Sequence, residues 1–131
     1  PTVAALVECM FIAEVKNMLL TAGHDLDTLH LPATLGVSDG SERYVLLRGQ
    51  EQALKPGDMI ISDGAGVISS VIYGPDQRTQ IRAETENALF TVYAPQGIEP
   101  DAVRSHLADT RDNVLLVSPS AALEMLHVYA A

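Results

Sequence analysis

Met59-Ile60-Ile61-Ser62-Asp63-Gly64-Ala65-Gly66-Val67-Ile68-Ser69-Ser70-Val71-Ile72-Tyr73-Gly74-Pro75-Asp76 is the stretch that decides the fold class. Two short runs rich in β-branched residues are separated by Asp63-Gly64, and the second is closed by Gly74-Pro75-Asp76. Apolar runs this short, bounded by residues that favour turns, predict strands over residues 59–62 and 67–73. The same punctuation continues on both sides. Strands are expected over residues 33–37, 44–48 and 88–93, with breaks at Asp39-Gly40 and Lys55-Pro56-Gly57-Asp58.

Helical patterns flank this β-rich centre. Residues 2–22 contain no glycine or proline and place Val7, Phe11, Val15 and Met18 at helical spacing. Apolar positions continue around the circumference through Leu6, Met10 and Leu19, so this helix is expected to be covered on two sides, by its own domain or by a second copy of the chain. Gly23 is expected to end it, with His24 in the exit turn. Pro100 suits the first position of a helix to about Leu107; residues 114–117 then read as a last strand, and Ser118-Pro119 as the cap of a closing helix. The expectation is one α+β domain over residues 1–131: a β-rich mixed sheet or barrel-like core, a long N-terminal helix and two C-terminal helices. Strands do not alternate with crossover helices as a doubly wound sheet requires.

Composition narrows the function. The chain has 131 residues, 47% of them apolar, enough for a core of its own. With 17 acidic residues against 8 basic ones, the formal charge of −9 repels phosphate backbones, so no extended nucleic-acid surface is expected. A single cysteine, Cys9, excludes an internal disulfide and suits a reducing, cytoplasmic setting; among apolar neighbours it reads as a core residue. The apolar stretch over residues 3–12 is interrupted by Glu8 and followed by Glu14 and Lys16, so no membrane span is expected. Beginning at Pro1 leaves an upstream segment of the domain open.

Three constellations carry candidate chemistry. Gly23-His24-Asp25-Leu26-Asp27 groups an imidazole with two carboxylates, and His30 follows. The histidine spacing does not fit a helical zinc pair, and no metal or cofactor is expected. His24 could handle a proton or donate a hydrogen bond, or it could simply bond the last carbonyls of a helix. In Tyr73-Gly74-Pro75-Asp76-Gln77-Arg78-Thr79, Gly74 permits close approach of a ligand and Tyr73 could line a pocket. Asp76 and Arg78 could pair or hold a zwitterion; the alternative is an ordinary turn with a surface ion pair. Thr91 is a lone hydroxyl in an otherwise apolar strand ending at Tyr93, and such threonines mostly pack. No nucleophile elbow, phosphate-cradling loop or dinucleotide fingerprint is present.

Taken together, these stretches resemble the editing module, the B3/B4 region, of the bacterial phenylalanyl-tRNA synthetase beta subunit. The helix leading into Gly23-His24-Asp25-Leu26-Asp27 resembles the one before that family's His-Ala-Phe-Asp turn. Tyr44-Val45-Leu46-Leu47-Arg48-Gly49 and Leu54-Lys55-Pro56-Gly57-Asp58-Met59-Ile60-Ile61-Ser62-Asp63 follow the family's next passage in order and spacing. Glu84-Thr85-Glu86-Asn87-Ala88-Leu89-Phe90 is similar to its Glu-Thr-Gln-Asn-Val-Leu-Leu. The next family residue is an editing-site glutamate, where this chain has Thr91. Beyond Pro95 the likeness is loose, and His106, Asp109 and Thr110 stand where the family carries a threonine-x-alanine signature.

The resemblance implies a free-standing hydrolase that cleaves mischarged aminoacyl-tRNA esters, aromatic or related, with water as nucleophile. In that scheme His24 and Thr91 are the catalytic candidates, and Tyr73, Gly74, Asp76, Arg78, Tyr93 and His106 the substrate-binding ones. The implied partner is the 3′ end of an aminoacyl-tRNA or a free amino-acid-like molecule. Two other readings stay open: a protein or biosynthetic enzyme that reuses the pocket for such a metabolite, and a non-catalytic module that forms homo-oligomers through the apolar N-terminal helix.

Overall fold

The computed structural model describes residues 3–129. They form two compact units, one from residues up to Thr21 together with those from Phe90 onward, the other from Ala22–Leu89. The α+β class holds. Among the described residues no helix is long and apolar enough to cross a membrane.

The first unit is built on two helices, α1 (Val3–Asn17) and α2 (Pro100–Val117). The expected helix start at Thr2 lies outside the described residues. Its expected end at Gly23 is corrected to Asn17. Met18 takes the left-handed conformation, φ 56°, with its N–H on the Glu14 carbonyl. Glu14 Oε1 accepts the Thr21 N–H at 2.6 Å, and Thr21 Oγ1 donates to the Leu19 carbonyl. A side chain within the helix thus turns the chain out one turn before the first glycine. Cys9, Met10 and Ala13 are buried on α1, which packs against α2, while Phe11, Ile12 and Val15 are half or more exposed. Within its own chain the helix is therefore covered along one face. Burial pushes the Cys9 thiol pKa up, as suits a core cysteine.

α2 corrects two further expectations. It runs on through residues 114–117, so no strand forms there, and no closing helix follows Ser118-Pro119 within the described residues. Val114-Leu115-Leu116-Val117 has a strand-like composition, but no glycine or proline separates it from Pro100. Val103, His106 and Thr110 are buried at helical spacing, and Asn113 Nδ2 donates to the Cys9 carbonyl, which continues that face. Tertiary contact overrides local propensity here.

The second unit is antiparallel β structure. β1 (Thr21–Asp25) and β8 (Ala88–Val92) are the stretches in which the chain passes between units. His24 thus lies in a strand rather than a helix exit, because the helix has already ended. Between them, β2 (Thr34–Val37), β5 (Met59–Asp63), β6 (Gly66–Ser70) and β7 (Gly74–Pro75) form a four-stranded sheet in that order. β3 (Arg43–Val45) pairs with β4 (Glu51–Ala53). Every pairing among β2–β7 is antiparallel. Small separate sheets replace the expected mixed or barrel-like one, because the chain reverses direction between paired strands, by the Asp63-Gly64 turn for β5 and β6 and through the β3–β4 pair for β2 and β5. A bridge between Leu46 and Asp76 ties the two sheets. Tyr44, Leu54, Ile60 and Val67 make the core, with Leu46 and Tyr73 packed on it.

Two turns test this packing. Gly40 has φ +93°, and a Cβ there would meet Pro56 Cγ at 2.7 Å; Gly57, at φ +91°, faces open space. Gly40→Ala is expected to destabilise by about 2–3 kcal/mol and Gly57→Ala by about 1 kcal/mol, read from urea unfolding midpoints.

Candidate functional site

The site grows from the turn after β7. Asp76 is fixed by its backbone, donating its N–H to the Ile68 carbonyl at 2.8 Å and bridging to Leu46, so its carboxylate is held inside, 3% exposed. Asp76 Oδ1 accepts the Thr79 N–H at 3.2 Å and also the Thr79 hydroxyl in a short hydrogen bond. Thr79 Oγ1 lies 2.8 Å from His24 Nδ1, and the Thr79 carbonyl accepts the Asp25 N–H. A buried carboxylate, hydroxyl and imidazole therefore stand in series.

The other end of the imidazole is bare. Among the described residues His24 Nε2 is the one buried side-chain atom without a hydrogen-bond partner. A buried polar nitrogen left so costs about 1–3 kcal/mol unless something bonds it. Burial drives the His24 pKa down to about 4; the nearby Asp63 charge opposes this and the Arg78 charge adds to it. The ring is neutral at pH 7. Asp76 is pushed upward by burial, against the Thr79 hydrogen bonds and the Arg78 charge.

Arg78 does not form its main pair with Asp76. Its guanidinium makes a two-pronged contact with Asp63, Nη2 to Oδ1 at 2.7 Å and Nη1 to Oδ2 at 3.0 Å, while Nε is 4.0 Å from Asp76 Oδ2. Nη1 also donates to the Thr28 carbonyl. Burial raises the Asp63 pKa, but the Arg78 hydrogen bonds and the amides of His30 and Ala65 outweigh that and hold it at about 2. Gly74 has φ +93°, and its carbonyl accepts the Tyr44 hydroxyl at 2.7 Å. Tyr73 lines a groove of about 290 Å³ with Leu46, Leu47, Arg48, Gln50 and Pro75.

The candidates thus divide. His24, Asp76 and Arg78 share one network, and Tyr73 and Gly74 lie in the adjoining turn. Thr91 is half-buried in β8 and Tyr93 is buried, its N–H on the Leu20 carbonyl; both belong to the first unit. His106 is in that unit too, fully buried, with Nε2 2.6 Å from Thr21 Oγ1 and Nδ1 3.1 Å from Asn17 Nδ2. Both its nitrogens are engaged, unlike those of His24. Thr79 and Asp63 were not singled out from sequence. The Asp76-x-x-Thr79 spacing, which lets a carboxylate take the N–H three residues on, could have flagged the first. Asp63 was hidden in a turn where aspartate is ordinary.

The fold and this network define a small α+β module of antiparallel sheets around a buried, neutral histidine. Residues 12–112 match the model of the B3/4 domain, and the chain belongs to that family. It is 31% identical over 88 residues to the phenylalanine–tRNA ligase beta subunit of Mycoplasma pneumoniae, an alignment covering 66% of this chain and 11% of that protein. The chain therefore corresponds to about a tenth of that relative's length. It is also similar in fold to a crystal structure of an N-terminal fragment of the phenylalanyl-tRNA synthetase beta subunit from Pyrococcus horikoshii. There the TM-score is 0.63 at 16% identity, covering 73% of this chain and 33% of that one.

The depressed His24 pKa has a thermodynamic consequence. The folded ring resists protonation that the unfolded chain accepts near pH 6.5, so its contribution is complete above that pH and is lost as pH falls towards about 4. Full protonation costs roughly 3 kcal/mol. His106, also lowered by burial, contributes with the same sign. The readout is therefore a comparison: urea unfolding midpoints between pH 7 and 4 should fall less steeply for His24→Gln than for the wild type.

Proposed function

We propose that this chain hydrolyses aminoacyl esters at the 3′ end of tRNA, with water as the attacking group. One observation carries the reading: a neutral, fully buried imidazole, anchored through Nδ1, whose Nε2 has no protein partner. Membership of the B3/4 family and likeness to a subunit of a phenylalanine–tRNA ligase support the choice of substrate. In this scheme Nε2 accepts a hydrogen bond from the water that attacks the ester carbonyl. The weak basicity of the ring suits it to orienting that water more than to removing its proton outright. The carbonyl–ribose oxygen bond breaks, the amino acid leaves as its acid, and the water's proton ends on the ribose hydroxyl.

The net charge of −9 favours a second reading, in which the site holds a free amino-acid-like molecule and no tRNA phosphate is drawn in. The deciding assay is release of amino acid from tRNA charged with tyrosine or phenylalanine. Release is expected, reduced about 100-fold or more in His24→Gln. Absence of release, with a thermal shift on adding a free aromatic amino acid, would replace the first reading by the second.

A further inference from the structure

We propose that Thr79 and Asp76 are positioning residues that fix His24 as the tautomer protonated on Nδ1, so that Nε2 presents a lone pair. The proposal rests on His24 being the working group of the site. A threonine hydroxyl has one proton to give. The Thr79 N–H can only donate, so Asp76 Oδ1 is an acceptor, and the Thr79 hydroxyl converges on that same oxygen. The Arg78 guanidinium, 4.0 Å from Oδ2, favours the charged carboxylate. With its proton committed to Asp76, the hydroxyl can only accept from His24, so Nδ1 carries the hydrogen across the 2.8 Å contact. Nε2 is then an acceptor, able to take a hydrogen bond and unable to donate one.

The same reasoning gives the opposite answer for the other buried histidine, which serves as an internal comparison. Asn17 Nδ2 donates to Asp109 Oδ2 at 3.0 Å, which pins the amide nitrogen on that side, and the same nitrogen faces His106 Nδ1. An amide nitrogen can only donate, so Nδ1 of His106 accepts and Nε2 carries the proton to Thr21 Oγ1. Thr21 passes its own hydrogen to the Leu19 carbonyl. Two buried imidazoles are thus held in opposite tautomers, each set by what its Nδ1 meets.

The test is nitrogen NMR of the histidine rings at neutral pH, with His24 assigned by loss of its signals in His24→Gln. Wild-type His24 is expected to show a protonated Nδ1 and a bare Nε2, and His106 the reverse. Thr79→Val should convert His24 to a mixture of tautomers and lower ester hydrolysis at least 10-fold through kcat, and Thr79→Ser should restore both. A wild-type His24 protonated on Nε2, or a Thr79→Val protein with the tautomer unchanged, overturns the proposal. If Thr79→Val does not fold, the wild-type and Thr79→Ser spectra decide it alone. The expected tautomer without any hydrolysis of charged tRNA would count against the ester reading and leave this assignment standing; hydrolysis with the wrong tautomer would do the opposite.

Discussion

A carboxylate with no exposed surface must find compensation from charge or hydrogen bonds, and Asp63 finds it from four directions. Its side chain is fully covered and accepts from both prongs of Arg78 and from the amides of His30 and Ala65. Those donors come from three separate stretches: the segment after β1, the turn between β5 and β6, and the turn after β7. Holding them on one carboxylate fixes where the Asp76–Thr79 turn lies and so where His24 is gripped. Removing the Arg78 charge would leave Asp63 buried and unbalanced, which is costly, whereas Arg78 keeps 36% of its side chain exposed and would find water in place of Asp63.

The two fully buried histidines show how one residue type is put to different uses. His106 closes a chain from Asp109 through Asn17 to Thr21 and the Leu19 carbonyl, joining the end of α1 to α2 with no capacity left over. His24 is bonded on one side alone. Burial depresses both pKa values, so both rings stay neutral at physiological pH, and the difference between them is wholly one of partners. A nitrogen that the fold buries and does not satisfy is a cost to stability, and costs of that kind concentrate at sites that bind something.

Much of this was legible. Short β-branched runs set between Asp-Gly, Pro-Gly and Gly-Pro turns marked the strands β2, β3, β5, β6 and β8, though not their antiparallel pairing, and the order of motifs from His24 through Asn87 pointed to the family that residues 12–112 match. What misled was local composition without its surroundings. Val114-Leu115-Leu116-Val117 looks like a strand and is helix, since Val103, His106, Thr110 and Asn113 had already committed that stretch to one face of α2. Gly23 looks like a helix end and is strand, since Glu14 had already captured the Thr21 N–H.

The sequence by itself determined the class of fold, because turn chemistry and apolar periodicity act within a few residues, while the order of its motifs carried the resemblance to the family and drew attention to His24. Only the tertiary structure decided that Arg78 turns its fork to Asp63, that Thr79 stands between Asp76 and His24, and that one histidine has a spare nitrogen while the other has none. Those facts depend on groups 15 and 55 positions apart in the chain arriving within hydrogen-bond distance, and on how deeply each is buried when they do.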